Sequence, residues 1–80
     1  MDAVDRVRIL ETLEELSRAQ IAKLSGVSRS RWNNYLQRKQ RFYHEDLVLL
    51  ANNFPEYKVW LLTGMEIPSE GHISPLSKNK

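Results

Sequence analysis

Residues 21–36 read IAKLSGVSRSRWNNYL, a sequence with glycine between two helical patterns. Apolar residues at helical spacing precede Gly26, and a second helical pattern follows it. Glycine adopts the left-handed backbone conformation at the lowest cost, so Gly26 predicts a tight turn between two helices. Ser28 is a natural amino-terminal cap for the second of these helices, which we expect to run to about Gln37.

This second helix has two different faces. At about 100° per residue, Trp32, Tyr35 and Leu36 lie on one side, where we expect them to be core residues. The opposite side carries hydroxyl and amide side chains. Amides are weak helix formers, so Asn33 and Asn34 in the middle of that side indicate a use beyond helix formation. The alternative is that the side chains of Asn33 and Asn34 are simply exposed to solvent.

The same spacing predicts further helices on both sides of this pair. Residues 4–16 carry an apolar stripe, with Asp2 or Asp5 placed to cap its start. Ser17 and Gln20 have the spacing of a capping box, so the helix before Gly26 should begin there, although Gln20 could instead contact a phosphate or a base. A leucine-rich run that ends at Pro55 predicts a fourth helix, and residues 57–62 a short fifth.

Length and composition limit what this chain can do. Eighty residues make one domain near the lower size limit for folding without disulfides or metals. With no cysteine and two histidines, neither a disulfide framework nor a metal site is expected. No nucleophile or glycine-rich phosphate loop accompanies the paired acids, so we expect neither an enzyme nor a small-molecule cofactor. The amino terminus is unlike a signal peptide or a membrane span, which favours a cytoplasmic protein with no membrane partner.

The basic residues are concentrated in one part of the chain. Between Leu16 and His44 there is no acid, and seven of the twelve basic residues lie there. Such separation of charge is typical of a face that binds a polyanion, with a solvated basic face as the alternative. The charge therefore predicts nucleic acid as the leading candidate partner.

Two motifs together resemble the lambda repressor and Cro family, also called the XRE family. The first is the helix-turn-helix pattern within residues 21–36, and the second is DLVLLANNFPEYKVWLLTG at residues 46–64, which looks like the family's fourth and fifth helices. The family often has glutamate followed two residues later by glycine where this chain has Leu36 and Arg38. The residues that match the helix-turn-helix are Ala22, Gly26, Val27, Trp32 and Tyr35.

The resemblance implies an all-α, five-helix domain over residues 1–65 that binds duplex DNA with helix 28–37 in the major groove. Residues 66–80 are polar, and we expect them to form a flexible tail. Ala22 should be small because the two helices cross closely there. The candidate residues for reading bases are Arg29, Ser30, Asn33, Asn34 and Gln37. The candidates for phosphate contacts are Ser17, Arg18, Lys23, Arg31, Arg38, Lys39 and Arg41.

The function implied is that of a transcriptional regulator, most simply a repressor of phage or prokaryotic type that acts in the bacterial cytoplasm. A single module of this size binds weakly, so we expect a homodimer on a palindromic operator with half-site centres roughly 34 Å apart. Candidate dimer contacts are Val59, Leu62, Met65 and Ile67. Tyr43 could bind a phosphate, although packing on Phe42 or the fourth helix is the favoured role.

Two other functions remain open. The chain could be an antitoxin-type module that neutralises a partner protein and binds DNA secondarily, with the acidic first helix or the tail as the partner surface. Co-purification of an unrelated protein would favour that hypothesis. The chain could also be the DNA-binding half of a longer repressor, with the tail as a linker.

Overall fold

The computed structural model describes residues 1–78, which form six α-helices. They are α1 (Ala3–Leu13), α2 (Arg18–Ser25), α3 (Arg29–Leu36), α4 (His44–Ala51), α5 (Lys58–Thr63) and α6 (Pro75–Lys78), with 3-10 turns over Pro55–Tyr57 and Pro68–Glu70. No β-strand occurs among residues 1–78; Ile67 and His72 form an isolated antiparallel bridge. The all-helical class is confirmed, but the number of helices is six rather than five. The longest of them, α1, has 11 residues, and no described helix is long and apolar enough to cross a bilayer.

The helix starts follow the capping patterns in the sequence. Asp2 caps α1 by accepting from the Asp5 amide at 3.0 Å. At the start of α2, the Ser17 hydroxyl accepts from the Gln20 amide at 3.1 Å, and the Gln20 carboxamide accepts from the Ser17 amide at 2.7 Å. At the start of α3, the Ser28 hydroxyl accepts from the Arg31 amide at 3.1 Å. Gln20 therefore serves as a capping partner, which is the first of its two predicted roles.

The inner faces of the first five helices, α1 to α5, meet in one hydrophobic core. Trp32 and Tyr35 are both fully buried in this core, as the periodicity predicts. Tyr35 stacks on Phe42 with ring centroids 4.3 Å apart, and Trp32 meets Phe42 edge-on at 5.6 Å. The loop after α3 is thereby anchored beneath the helix. The buried apolar residues are Val4, Val7, Leu10, Ile21, Val27, Trp32, Tyr35, Leu36, Leu47, Leu50, Ala51, Tyr57, Trp60 and Leu61.

A buried arginine closes the carboxyl end of α5. Arg6 donates from Nε to the Leu61 carbonyl at 3.0 Å and from Nη1 to the Met1 carbonyl at 2.8 Å. A cation is favourable at this end of a helix because the last carbonyls have no helical partner. Gly64, with φ of +82°, ends α5 directly beside this guanidinium.

The segment after residue 65 is folded against the domain, which differs from the expected flexible tail. The Ile73 amide donates to the Glu56 carbonyl at 2.9 Å, and the Ser74 amide donates to Glu66 at 2.8 Å. Ser74 and Pro75 are buried, and α6 packs on α1. The composition of this segment is polar, and a few apolar and backbone contacts hold it in place. The last two residues of the predicted tail lie outside the described residues.

Candidate nucleic-acid interface

A short turn joins α2 to α3. Gly26 takes the left-handed conformation, with φ of +74°, and its amide donates to the Ala22 carbonyl at 2.9 Å. The buried Ser25 hydroxyl accepts from the Val27 amide at 3.2 Å and from Trp32 Nε1 at 2.8 Å. It also donates to a carbonyl one turn back in α2 at 2.8 Å. One hydroxyl thus links α2, the turn and α3, which fixes how α3 is presented.

The five candidate base readers lie on α3 or at its carboxyl-terminal cap, and none of them is buried, unlike Trp32 and Tyr35. Three of them are exposed and two are half-buried. This α3 outward face therefore presents one guanidinium, one hydroxyl and three carboxamides. The exposed residues are Arg29, Ser30 and Gln37, and the half-buried ones are Asn33 and Asn34.

Two candidate contact residues bind each other. Arg18 Nη1 donates to Asn33 Oδ1 at 2.6 Å, and Arg18 Nε donates to Glu11 at 2.7 Å. The Arg18 side chain is 25% exposed and that of Glu11 is 14% exposed. Arg18, a candidate phosphate contact, thus lies in a partly buried chain of contacts from α1 to α3.

A second acid joins α4 to α3. Asp46 is buried in the first turn of α4, where it accepts from the Tyr35 hydroxyl and from Arg31 Nη1 at 3.3 Å. Burial, together with this carboxylate, raises the pKa of Tyr35 to about 12. A carboxylate in the first turn suits the positive amino end of α4, and this one also faces α3.

Arg38 binds the start of α1. It has a left-handed backbone, with φ of +59°. Its guanidinium donates to Asp2 at 2.6 Å and to Asp5 at 3.1 Å. The hydrogen bond from Arg38 is the largest cause that holds the pKa of Asp2 well below its usual range.

Folding changes the charge pattern that the sequence suggests. Three of the seven basic residues between Leu16 and His44 form ion pairs with acids from outside that window. The other four are exposed and form no ion pair with any of residues 1–78. We call these four the unpaired cations: Lys23, Arg29, Lys39 and Arg41. Two of them, Lys39 and Arg41, line a depression of about 410 Å³ between the start of α1 and the loop after α3.

Two further candidates for phosphate contacts lie at the amino-terminal caps of helices. The hydroxyl of Ser17 accepts a backbone hydrogen bond at the α2 cap, although the residue is exposed. Tyr43 is 52% exposed at the amino end of α4, whereas Phe42 carries the aromatic packing.

Sequence reasoning missed three residues that organise this surface. Ser25, Asp46 and Glu11 position α3, its aromatic side chains and Arg18. Ser25 lies seven residues before Trp32, beside the predicted turn, which is the only local signal for any of them. Asp46 lies 11 and 15 residues from its partners, and Glu11 and Arg18 lie on different helices, so helical periodicity does not address either contact.

The chain is similar to a solved phage protein. One match is the structure of Pf6r from the filamentous phage Pf6 of Pseudomonas aeruginosa PA01, with a TM-score of 0.75 and 28% sequence identity. The match covers 94% of this chain and 96% of Pf6r, so the likeness extends well beyond the α2–turn–α3 unit. No family model matches the chain, and no curated protein matches it.

Proposed function

We propose that this protein is a sequence-specific, duplex DNA-binding regulator of transcription of the lambda repressor and Cro type, with α2 and α3 as its helix-turn-helix. The observation that carries the proposal is the α3 outward face, where polar side chains lie on a helix anchored by its opposite, aromatic side. An α-helix fits the major groove of B-DNA, and amide and guanidinium groups match the hydrogen-bonding edges of bases.

The unpaired cations supply the electrostatic part of the proposal. A cation without an acidic neighbour contributes more binding free energy when it contacts a phosphate. A cation that is paired with a carboxylate must first lose that ion pair. Phosphate contacts therefore fall mainly to Lys23, Lys39 and Arg41, with Arg29 available to a base or a phosphate. Arg31 and Arg38 contribute less, because Asp46 and the α1 acids already balance their charge.

A homodimer on a palindromic operator is part of the same proposal. Among the candidate dimer contacts on and after α5, Met65 is 61% exposed, and Val59, Leu62 and Ile67 are partly buried. Two copies would add the affinity that one small module lacks. The likeness to Pf6r supports a phage or prokaryotic setting, in which repression is the simplest regulatory role.

Selection from a library of random duplexes tests this function. The expected result is one enriched motif with two-fold symmetry and half-site centres roughly 34 Å apart. Binding without any enriched motif would contradict sequence-specific recognition. Purification with an unrelated protein, and no motif, would favour the antitoxin-type alternative instead.

A further inference from the structure

We propose that Arg18 is a positioning residue that makes Asn33 a hydrogen-bond donor toward DNA, so that Asn33 selects guanine and not adenine. The inference rests on the proposed function, because it concerns how the α3 outward face reads a base. It changes the ordinary expectation for asparagine, which pairs with adenine.

The chemistry of arginine fixes the orientation of the Asn33 carboxamide. A guanidinium has only N–H donors and no acceptor. The Asn33 atom that lies 2.6 Å from Arg18 Nη1 must therefore be the carbonyl oxygen, Oδ1. Rotating the carboxamide by 180° would set an N–H group against another N–H group. The amide nitrogen, Nδ2, consequently points away from Arg18.

Nδ2 of Asn33 is available to a ligand. It donates no hydrogen bond to any of residues 1–78. Within that range, His72 Nδ1 is the one buried side-chain nitrogen or oxygen that has no hydrogen-bond partner, so Asn33 Nδ2 is not buried. Nδ2 therefore reaches solvent. With Oδ1 directed at Arg18, the accessible polar part of Asn33 is an NH₂ group with two donors.

Glu11 holds Arg18 in the position that this orientation needs. Both Glu11 carboxylate oxygens accept from Arg18, at 2.7 Å from Nε and 3.4 Å from Nη2. Both side chains are largely shielded from solvent, so water and salt weaken the pair less than an exposed one. Arg18 thus stays with Glu11 and Asn33 when DNA approaches, and does not turn toward a phosphate.

The consequence follows from the edges that bases show in the major groove. A two-point contact of asparagine with adenine needs Oδ1 to accept from N6 while Nδ2 donates to N7. Guanine presents two acceptors, N7 and O6, and needs only donors. A donor-only Asn33 therefore favours guanine at the base pair that it reads.

Selection from random duplexes with four proteins tests the inference. Asn33→Ala identifies the base pair, because preference should disappear at that position alone. The wild type should prefer guanine there by about tenfold. Arg18→Met removes the donors and frees Oδ1, so the preference should move toward adenine. Arg31→Met is the matched control, since it also removes a paired arginine but does not touch Asn33, and it should keep guanine.

The variants separate failure of the inference from failure of the proposed function. If the wild type enriches no motif, both fail. If it enriches a motif but prefers adenine where Asn33→Ala loses preference, the inference alone is wrong. The same holds if Asn33→Ala changes the preference at no position or if Arg18→Met keeps guanine.

Arg18→Lys retains a donor-only head group and should keep part of the guanine preference. If Arg18→Met does not fold, Glu11→Ala releases Arg18 from its anchor and should weaken that preference; an unchanged preference in Glu11→Ala would contradict the inference.

Discussion

The indole Nε1 of Trp32 donates to the hydroxyl of Ser25 at 2.8 Å, and both residues are buried. This hydrogen bond joins the last residue of α2 to the middle of α3. The aromatic core sets which side of α3 faces inward, and the serine sets how α3 sits against α2. The orientation of the α3 outward face depends on both.

Ser25→Ala should destabilise the protein. The change leaves Trp32 Nε1 and the Val27 amide without their acceptor in a buried site, and an unsatisfied buried donor costs about 1–3 kcal/mol. Urea unfolding measures the loss. Ser30→Ala is the matched control on the exposed side of α3, where we expect a change within about 0.5 kcal/mol. Equal effects of the two substitutions would contradict the role assigned to Ser25.

The Tyr35 hydroxyl should make stability fall at alkaline pH. Its pKa is raised from 10.0 to about 12 in the folded protein, so the protonated form contributes stability that is complete below pH 10 and is lost as pH rises toward 12. Tyr35→Phe should remove part of this decline while keeping the stacked ring. Tyr57, whose pKa burial also raises, accounts for part of what remains.

The free energy of unfolding, measured by urea from pH 8 to pH 12, gives the readout for Tyr35. Tyr43→Phe is the control at an exposed tyrosine and should keep the wild-type decline. A decline of the same size in Tyr35→Phe and wild type would overturn the assignment.

Gly64→Ala should cost more stability than Gly26→Ala. Both glycines have a left-handed backbone, for which a Cβ costs roughly 1–2 kcal/mol. At Gly26 a Cβ would meet no atom within 4 Å, whereas at Gly64 it would lie 3.3 Å from Arg6 Nη1. Arg6 would have to shift by a few tenths of an ångström, which strains its hydrogen bonds to the Met1 and Leu61 carbonyls. Urea unfolding of the two variants provides the comparison, and equal losses would show that Arg6 yields freely.

Local features of the fold could be predicted from the sequence, because their causes lie within a few residues. The caps at Ser17 and Ser28, the turn at Gly26 and the burial of Trp32 and Tyr35 each follow from spacing and side-chain chemistry. These features also orient the α3 outward face.

Contacts between distant residues could not be predicted in this way. Asp46 lies 15 residues from Arg31, and Asp2 lies 36 residues from Arg38. A stretch without acids in the sequence is therefore not a surface without acids, because folding brings carboxylates to it from α1 and α4. The folded segment after residue 65 was hidden for a similar reason, since its partners lie on α1 and before α5.

The salt dependence of DNA binding should distinguish the unpaired cations from the paired ones. Lys39→Ala should lower the slope of log affinity against log salt by about one, because one phosphate contact is lost. Arg38→Ala should lower it less, since Asp2 and Asp5 balance that charge. Lys58→Ala, on α5 and outside the acid-free window, is the control and should leave the slope unchanged. A larger effect for Arg38 than for Lys39 would contradict this assignment.

Asn34→Ala tests most directly whether the α3 outward face reads bases. The measurement is the ratio of affinities for a selected duplex and a scrambled duplex of equal length at one salt concentration. We expect the ratio to fall about tenfold, while affinity for the scrambled duplex stays near that of the wild type. A ratio equal to that of the wild type would contradict the orientation assigned to α3.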